Sequence, residues 1–364
     1  MTDETLATPV RLRTTLDSVP GYKPGKPAAA EGDTVVYKIS SNENPYPPLP
    51  SVVEAVHEAV ATMNRYPDMA SSELTHTLAQ KLGVSDDEVS FGTGSVGILA
   101  ALIAITCEPG DEVVYAWRSF EAYPIVTALT GARSVQVPLD ADSRHDLDAM
   151  AAAVTDRTRL LIVCTPNNPT GPSVRTDELR AFTEKLPKDL LVVLDEAYLE
   201  FVEADDAPDA LAFYREFPNV VVLRTFSKAY GLAGLRVGYA VARPRITEAL
   251  RKAATPFGVN DMAQKAAVAS LAAYDELDER VQALVAERRR VVEALADADL
   301  NIPDTQANFV WLPLGERTEE FAGVAKDAGL VVRPFAGEGV RATIAEPEAN
   351  DRLVDVVKGF VGTR

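Results

Sequence analysis

The fold is indicated most clearly by an apolar run, Leu190-Leu191-Val192-Val193-Leu194, which Asp195 follows directly. A continuous run of β-branched and other apolar residues is typical of a strand whose two faces are both covered, as in a mainly parallel sheet. Similar runs lie at residues 112–115, 134–137, 160–164, 220–223 and 237–241, with helical stretches between them. The middle of the chain is therefore predicted to be α/β, with a large, mainly parallel sheet flanked by helices.

The segments before and after this region differ from it in composition and in the periodicity of their apolar residues. The first forty residues are rich in Pro, Gly and charge, which predicts an extended arm and not a packed element. Periodicity predicts helices over 51–64, capped by Ser51, and over 71–82, and further helices over 261–298. Strands of a smaller α+β domain are predicted at 308–312, 330–333 and 340–344. The predicted units are an N-terminal arm (1–40), a large domain (41–248) and a small C-terminal domain (249–364).

Composition argues against several classes of partner. Lys and Arg total 36 and Asp and Glu total 54, a formal charge of −18, whereas nucleic-acid binding needs a basic face. No stretch has the ~18 consecutive apolar residues that span a bilayer. The polar N-terminus lacks the apolar stretch of a signal peptide, so a cytoplasmic protein is expected. Cys107 and Cys164 lie in apolar runs and are expected to be buried free thiols, and the three histidines show no metal-ligand spacing.

Polar residues follow the ends of several predicted strands, which is where open α/β sheets bind their ligands. One such segment, Gly92-Thr93-Gly94-Ser95-Val96-Gly97, fits the G-x-G-x-x-G pattern of dinucleotide sites. A nicotinamide site also requires an acid at the end of the next strand, whereas Asp111 and Glu112 stand at its beginning. The segment is therefore interpreted as a turn into a helix whose first amides hold a single phosphate.

Asp195 and Lys228 indicate a function only when they are considered together. Alone, Asp195 would most simply pair with nearby backbone or an arginine, and a lone lysine in a loop is usually solvated. Both follow predicted strands, as does the phosphate-binding turn, and together they indicate an aldehyde cofactor. A lysine can form an imine with such an aldehyde, and an acid can keep a pyridine nitrogen protonated.

Five motifs carry a resemblance that extends from Tyr22 to the C-terminus. They are Ser41-Asn42-Glu43-Asn44-Pro45, Arg65-Tyr66-Pro67, Asn168-Pro169-Thr170-Gly171, Asp195-Glu196-Ala197-Tyr198 and Ser227-Lys228-Ala229-Tyr230-Gly231-Leu232-Ala233-Gly234-Leu235-Arg236. With them the sequence resembles the fold-type I pyridoxal-phosphate aminotransferases, in the branch of histidinol-phosphate and aromatic aminotransferases. The resemblance implies an aspartate aminotransferase-like fold with a seven-stranded-type sheet, pyridoxal 5′-phosphate as cofactor, and a homodimer.

The resemblance also implies the roles of the site residues. Lys228 forms the aldimine and moves the substrate α-proton, Asp195 pairs with the pyridinium nitrogen, and Arg341 holds the substrate carboxylate. Tyr198, which is also implied to be catalytic, forms a hydrogen bond with the ring oxygen of the cofactor, as does Asn168. Phe120 stacks on the cofactor ring. The implied phosphate contacts are Ser95, Val96, Ser227, Arg236 and, from the neighbouring subunit, Tyr66. The implied substrate contacts are Tyr22, Asn42, Arg333 and Arg341.

The substrate is less sharply indicated. Residues 117–124, 224–236 and 307–315 are most similar to actinobacterial aromatic (phenylalanine) aminotransferases, which favours ping-pong transamination of phenylalanine, tyrosine or tryptophan with 2-oxoglutarate. Histidinol phosphate is the alternative, since Tyr22 and Arg333 stand where enzymes of that kind bind the substrate phosphate. Those enzymes commonly continue the arginine with Asp, whereas Pro334 follows here. An amino-acid-phosphate decarboxylase on the same fold is a further alternative.

Overall fold

The computed structural model describes residues 12–17, 19, 21, 35–298 and 300–362. Its strands are β1 (Tyr37–Lys38), β2 (Val89–Thr93), β3 (Glu112–Trp117), β4 (Arg133–Pro138), β5 (Thr158–Cys164), β6 (Leu191–Asp195), β7 (Val220–Thr225), β8 (Val237–Val241), β9 (Phe309–Leu312), β10 (Leu330–Val331), β11 (Arg333–Phe335) and β12 (Gly339–Thr343). Its helices are α1 (Pro50–Val60), α2 (Ser72–Leu82), α3 (Gly94–Thr106), α4 (Ala122–Thr130), α5 (Leu147–Ala152), α6 (Thr176–Lys185), α7 (Ala210–Glu216), α8 (Pro244–Ala253), α9 (Asp261–Ala272), α10 (Tyr274–Ala294), α11 (Thr318–Asp327) and α12 (Pro347–Val361). Short 3₁₀ turns lie at Thr14–Asp17, Asp86–Glu88, Leu199–Phe201, Ala233–Leu235 and Gly315–Arg317.

The large sheet has seven strands in the order β2-β8-β7-β6-β5-β3-β4. Strand β8 runs antiparallel to both of its neighbours, and the other pairings in this sheet are parallel. Along β6, Val192 and Leu194 pack into one hydrophobic cluster while Leu191 and Val193 pack into another. Both faces of the strand are thus covered, which is why its apolar run is unbroken. The prediction of a mainly parallel, helix-flanked sheet is confirmed.

Strand β2 precedes the predicted phosphate-binding turn, but it is not among the apolar runs by which the sheet was predicted. Its sequence, Val89-Ser90-Phe91-Gly92-Thr93, mixes polar and small residues with apolar ones. It lies at the edge of the sheet and pairs with β8 alone, and its burial declines from Val89 to the exposed Thr93. An edge strand that leads into a ligand-binding turn does not need the continuous apolar run by which the inner strands were found.

The helix predicted over 51–64 begins and ends elsewhere. Helix α1 starts at Pro50, with no cap from Ser51, and stops at Val60. Proline suits a first turn because its missing N–H has no partner there in any helix. The predicted apolar face is also only partly buried, because Val52 is 2% exposed whereas Val53 and Val60 are 38% and 40% exposed.

The small C-terminal sheet has the order β11-β12-β9 and is antiparallel. The single strand predicted at 330–333 is split, because β10 pairs in parallel with β1 and β11 pairs with β12. Tyr37 and Lys38 therefore pack against the C-terminal region, and the prediction of an unpacked arm is wrong for these two residues. The division at residues 40 and 248 stays a prediction.

The helices predicted over 261–298 are α9 and α10, separated at Ala273. In α10 the buried positions Leu277, Val281, Leu284 and Val285 recur at helical spacing, so one stripe of the helix faces the core. Within the described parts of the chain, no helix combines the length and the apolar character that crossing a bilayer requires.

Candidate active site

A cavity of about 620 Å³ opens where β5, β6 and β7 end and where the small sheet approaches them. Helix α3 and the loop before α4 complete its walls. The sequence-predicted residues that line it are Asn42, Ser95, Val96, Phe120, Asn168, Tyr198, Ser227, Lys228, Arg236, Arg333 and Arg341. Residues that lie far apart in sequence thus meet around one space.

Asp195 ends β6 and is 4% exposed. Its Oδ2 accepts a 2.7 Å hydrogen bond from the hydroxyl of Tyr123, whereas its Oδ1 is buried without a hydrogen-bond partner among the described residues. Burial raises the pKa of Asp195 to about 6, against the lowering effect of the Tyr123 bond. A buried acceptor of this kind calls for a donor. Tyr123 was missed by the sequence analysis, and no local pattern distinguishes it from a core tyrosine.

Lys228 reaches into the same cavity. Its Nζ donates a 3.1 Å hydrogen bond to the carbonyl oxygen of Ser41 and lies 5.8 Å from the ring centre of Tyr198. Burial, followed by the positive charge of Arg341, lowers the pKa of Lys228 to about 7. The amine is therefore available in its neutral, nucleophilic form near neutral pH.

A corner of the cavity with groups that could bind an anion lies at the start of α3. Ser95 and Val96 stand in the first turn of this helix, and the side chain of Thr93 does not cap it within the described structure. Arg236 Nη1 lies 3.3 Å from Ser227 Oγ, and both side chains line the cavity here. Helix amides, a hydroxyl and a guanidinium are the groups that hold a phosphate.

Gly238 keeps this corner compact. A Cβ placed on it would lie 2.5 Å from the backbone nitrogen of Ser95 and 2.8 Å from the carbonyl carbon of Gly94. Strand β8 thus touches the first turn of α3 with no room for a side chain. The sequence analysis assigned no role to this glycine, since a glycine within a strand can have many causes.

Arg341, on β12, is 9% exposed and joins two other site residues. Its Nη1 donates to Asn168 Oδ1 at 2.5 Å, and its Nη2 donates to the carbonyl oxygen of Ser40 at 2.7 Å. Asn42 Nδ2 donates to the hydroxyl of Tyr198 at 2.9 Å. Burial raises the pKa of Tyr198, so its hydroxyl stays protonated at neutral pH. The predicted substrate residue Asn42 is here also a partner of a predicted catalytic residue.

The other end of the cavity is lined by aromatic rings and an ion pair. Phe120 and Phe335 both face the cavity. Arg333 forms an ion pair with Glu121, and its guanidinium lies 5.6 Å from the ring centre of Phe335. Glu121 lies in the segment 117–124, whose similarity favoured an aromatic substrate, but the sequence analysis assigned no role to it.

A buried network supports the loop that carries Phe120. Asn167 Oδ1 accepts a hydrogen bond from Ser119 Oγ at 2.7 Å, and His145 Nε2 donates to the same oxygen at 3.2 Å. Burial lowers the pKa of His145 to about 4, so the ring is neutral. The sequence analysis assigned no role to this histidine, which is 8% exposed.

Among the predicted site residues that the structure describes, Tyr66 lies apart from this arrangement. Tyr66 is 81% exposed, stacks on Phe257 with ring centres 4.4 Å apart, and is not among the described residues that line the cavity. Tyr22 lies outside the described residues. The implied contact of Tyr66 with a neighbouring subunit's phosphate site stays a prediction.

Sequence and structure comparisons identify the family. The family model described as aminotransferase class I and II matches residues 34–357. The chain belongs to this family. It is 61% identical over 350 residues to the aromatic amino acid aminotransferase of Streptomyces avermitilis, covering 96% of this chain and 97% of that protein. It is 54% identical over 352 residues to the protein of the same name from Thermobifida fusca, covering 97% and 98%.

The fold comparison agrees with the family. The structure of histidinol-phosphate aminotransferase from Sinorhizobium meliloti in complex with pyridoxal 5′-phosphate superposes with a TM-score of 0.87, at 29% identity, over 99% of this chain and 100% of that one. The predictions of a fold-type I aminotransferase and of pyridoxal 5′-phosphate as cofactor are confirmed. As an aminotransferase, the enzyme acts on an amino acid and a 2-oxo acid.

Proposed function

We propose that the enzyme transfers the amino group of an aromatic L-amino acid (phenylalanine, tyrosine or tryptophan) to 2-oxoglutarate. The observation that carries this proposal is the cavity wall where Phe335 lies beside Arg333, whose charge is already paired with Glu121. Such a wall suits an uncharged ring, because stacking needs only an aromatic face. The names of the relatives from S. avermitilis and T. fusca point the same way.

The site fits pyridoxal 5′-phosphate at both ends, although the buried Asp195 is itself not among the described residues that line the cavity. The partnerless Oδ1 of Asp195 would accept from a protonated pyridine nitrogen, and a cationic ring beside it would lower the pKa of the carboxyl. The phosphate would be held by the first amides of α3, at Ser95 and Val96, and by Ser227 and Arg236. Phe120 supplies a ring face between these ends.

When bound, pyridoxal 5′-phosphate supplies an aldehyde that condenses with amines and a protonated ring that withdraws the electron pair left at the substrate α-carbon. Lys228 is the base in this account. With a pKa of about 7 before the cofactor binds, its Nζ would move one proton within each half of the cycle, from the substrate α-carbon to the cofactor in the first half and in the reverse direction in the second. Because the first keto acid leaves before the second binds, we expect ping-pong kinetics.

Arg341, Asn168 and Tyr198 orient the reactants. The guanidinium of Arg341 can hold the substrate carboxylate with two parallel hydrogen bonds. Since Asn168 Oδ1 accepts from Arg341, its Nδ2 is the atom left to donate to the ring oxygen of the cofactor. The hydroxyl of Tyr198 already accepts from Asn42, which leaves its proton for the same ring oxygen.

We also infer a homodimer in which Tyr66 completes the phosphate site of the partner subunit. The support is a group of exposed apolar side chains around it: Val60, Met63, Tyr66, Met69 and Phe257 are each at least 40% exposed. An apolar group of this size on a globular protein favours a protein contact. A cytoplasmic location is proposed as well, because Cys107 and Cys164 are buried and unpaired.

Histidinol phosphate is the second candidate substrate. It is favoured by the position of Arg333 in the cavity wall, where a cation could meet a substrate phosphate. The two candidates are separated by kcat/KM for phenylalanine and for histidinol phosphate, each measured with 2-oxoglutarate as acceptor. We expect phenylalanine to be preferred by at least about tenfold, or about 1.4 kcal/mol of transition-state stabilisation. An equal or greater value for histidinol phosphate would contradict the proposal.

A further inference from the structure

Two arginines face the same cavity from neighbouring strands of the small sheet. Arg333 on β11 is the direct cross-strand partner of Arg341 on β12, and both line the cavity. Like charges placed opposite each other in a sheet repel, so each needs compensation. Arg341 donates hydrogen bonds to Asn168 Oδ1 and to the carbonyl oxygen of Ser40.

Arg333 is compensated by the carboxylate of Glu121. Glu121 directly precedes α4, which lies outside the C-terminal sheet that carries Arg333, and it also lines the cavity. The side chains of Arg333 and Glu121 are only 12% and 30% exposed, so water screens the pair less than it would at the surface. The charge of Arg333 is therefore engaged before a substrate arrives.

This pairing distinguishes between substrate side chains by their charge. An uncharged aromatic ring can lie against Phe335 and leave the ion pair in place. A phosphate brings about two negative charges near neutral pH. It would either meet the carboxylate of Glu121 or take Arg333 from it, and a half-buried carboxylate that loses its cation is costly.

We propose that Glu121 determines the substrate class of this enzyme: by holding Arg333, it disfavours amino acids whose side chains carry a phosphate relative to those with uncharged aromatic side chains. The inference rests on the proposed function, since it assumes that Arg341 holds the α-carboxylate and that the side chain extends toward Arg333. It assigns a specificity role to a residue that contacts no reacting atom.

The test is the substitution Glu121→Gln in the holoenzyme, which keeps the shape of the side chain and removes its charge. The measured quantity is the ratio of kcat/KM for histidinol phosphate to kcat/KM for phenylalanine. We expect this ratio to rise at least about tenfold over that of the unaltered enzyme, about 1.4 kcal/mol. The KM for 2-oxoglutarate, whose side chain is also anionic, should fall. An unchanged ratio would overturn the inference.

Two further variants show whether the effect passes through Arg333. In Glu121→Gln combined with Arg333→Gln, the gain for histidinol phosphate should disappear, and a gain that persists would overturn the inference. Glu338→Gln is the matched control, because Glu338 pairs with Arg118 and neither is among the described residues that line the cavity. It should leave the ratio unchanged, and a rise like that of Glu121→Gln would reveal a general charge effect.

The unaltered enzyme tests the proposed function, and the variants test the role of Glu121. If the unaltered enzyme prefers histidinol phosphate, the proposed function fails. If it prefers phenylalanine and the ratio does not move in Glu121→Gln, only the role of Glu121 fails.

Discussion

The hydroxyl of Tyr123 donates a 2.7 Å hydrogen bond to Oδ2 of Asp195, and both side chains are buried. This bond occupies one carboxylate oxygen and leaves the other, Oδ1, without a partner in the described structure. It also lowers the pKa of Asp195, which burial alone would raise further. Tyr123 thus favours the ionised form of the group that we assign to the pyridine nitrogen.

Replacing Tyr123 by Phe should reduce the ionised fraction of Asp195 and thereby lower the activity. Without the hydroxyl, the pKa of Asp195 rises and less of it is ionised at a given pH. Because a hydrogen bond to a charged group contributes about 1.5–3 kcal/mol, we expect kcat to fall about ten- to a hundredfold. The acid limb of the kcat profile should also move to higher pH.

Tyr115→Phe is the control for this experiment. Tyr115 is equally buried and its ring centre lies 5.5 Å from that of Tyr123, but its hydroxyl accepts from Gln136 and not from a site residue. It should reproduce any loss of stability without the shift in the pH profile. If both variants shift the acid limb equally, the bond between Tyr123 and Asp195 does not set the state of the carboxylate.

Gly238→Ala should loosen the phosphate corner. The added methyl would meet the backbone of Gly94 and Ser95 at distances that real Cβ atoms do not show, so the first turn of α3 must move. We expect the dissociation constant of pyridoxal 5′-phosphate, measured by titrating the apoenzyme, to increase at least about tenfold.

Gly323→Ala provides the comparison. Gly323 lies in α11, and a Cβ there would meet no heavy atom within 4 Å. Alanine favours a helix by up to about 1 kcal/mol over glycine, so this variant should be at least as stable and should bind the cofactor normally. Cofactor affinity that is unaltered in Gly238→Ala would argue against a phosphate site at this corner.

The pH dependence of Lys228 can be followed in the apoenzyme with an amine-reactive reagent and peptide mapping. Since its pKa is lowered to about 7, Lys228 is protonated and unreactive below that pH and is labelled above it. Removing the positive charge in Arg341→Gln should move the midpoint to higher pH, because Arg341 lowers the pKa of Lys228. Lys265, whose pKa is raised by Glu73, is the internal control and should be labelled only in strongly alkaline solution. Labelling of both lysines at the same pH would contradict this account.

The sequence predicted the inner part of the fold because inner strands have a local signature. The apolar runs of β5, β6 and β7 exist since both faces of those strands are buried. Strand β2 lies at the edge and need not be apolar on both faces, so a strand was expected before the turn at Gly92 but its bounds were not predicted. The pairing of β1 with β10 could not be predicted, because two-residue strands carry no periodicity and their contact depends on the tertiary structure.

The candidate site was predictable to the extent that its residues follow strands. Asp195 and Lys228 stand just after apolar runs, where open sheets bind ligands. Tyr123 and Glu121 were not found, because their importance lies in partners 72 and 212 residues away in the chain. Only the folded chain brings the hydroxyl to the carboxylate and the glutamate to the arginine.

The central claim is that Lys228 binds the cofactor covalently. It is tested most directly by reducing the holoenzyme with borohydride, digesting it and mapping the phosphopyridoxyl group by mass spectrometry. The account predicts that the label lies on Lys228 and that the Lys228→Ala variant, treated in the same way, carries none. A label on any other lysine of the unaltered enzyme would contradict it.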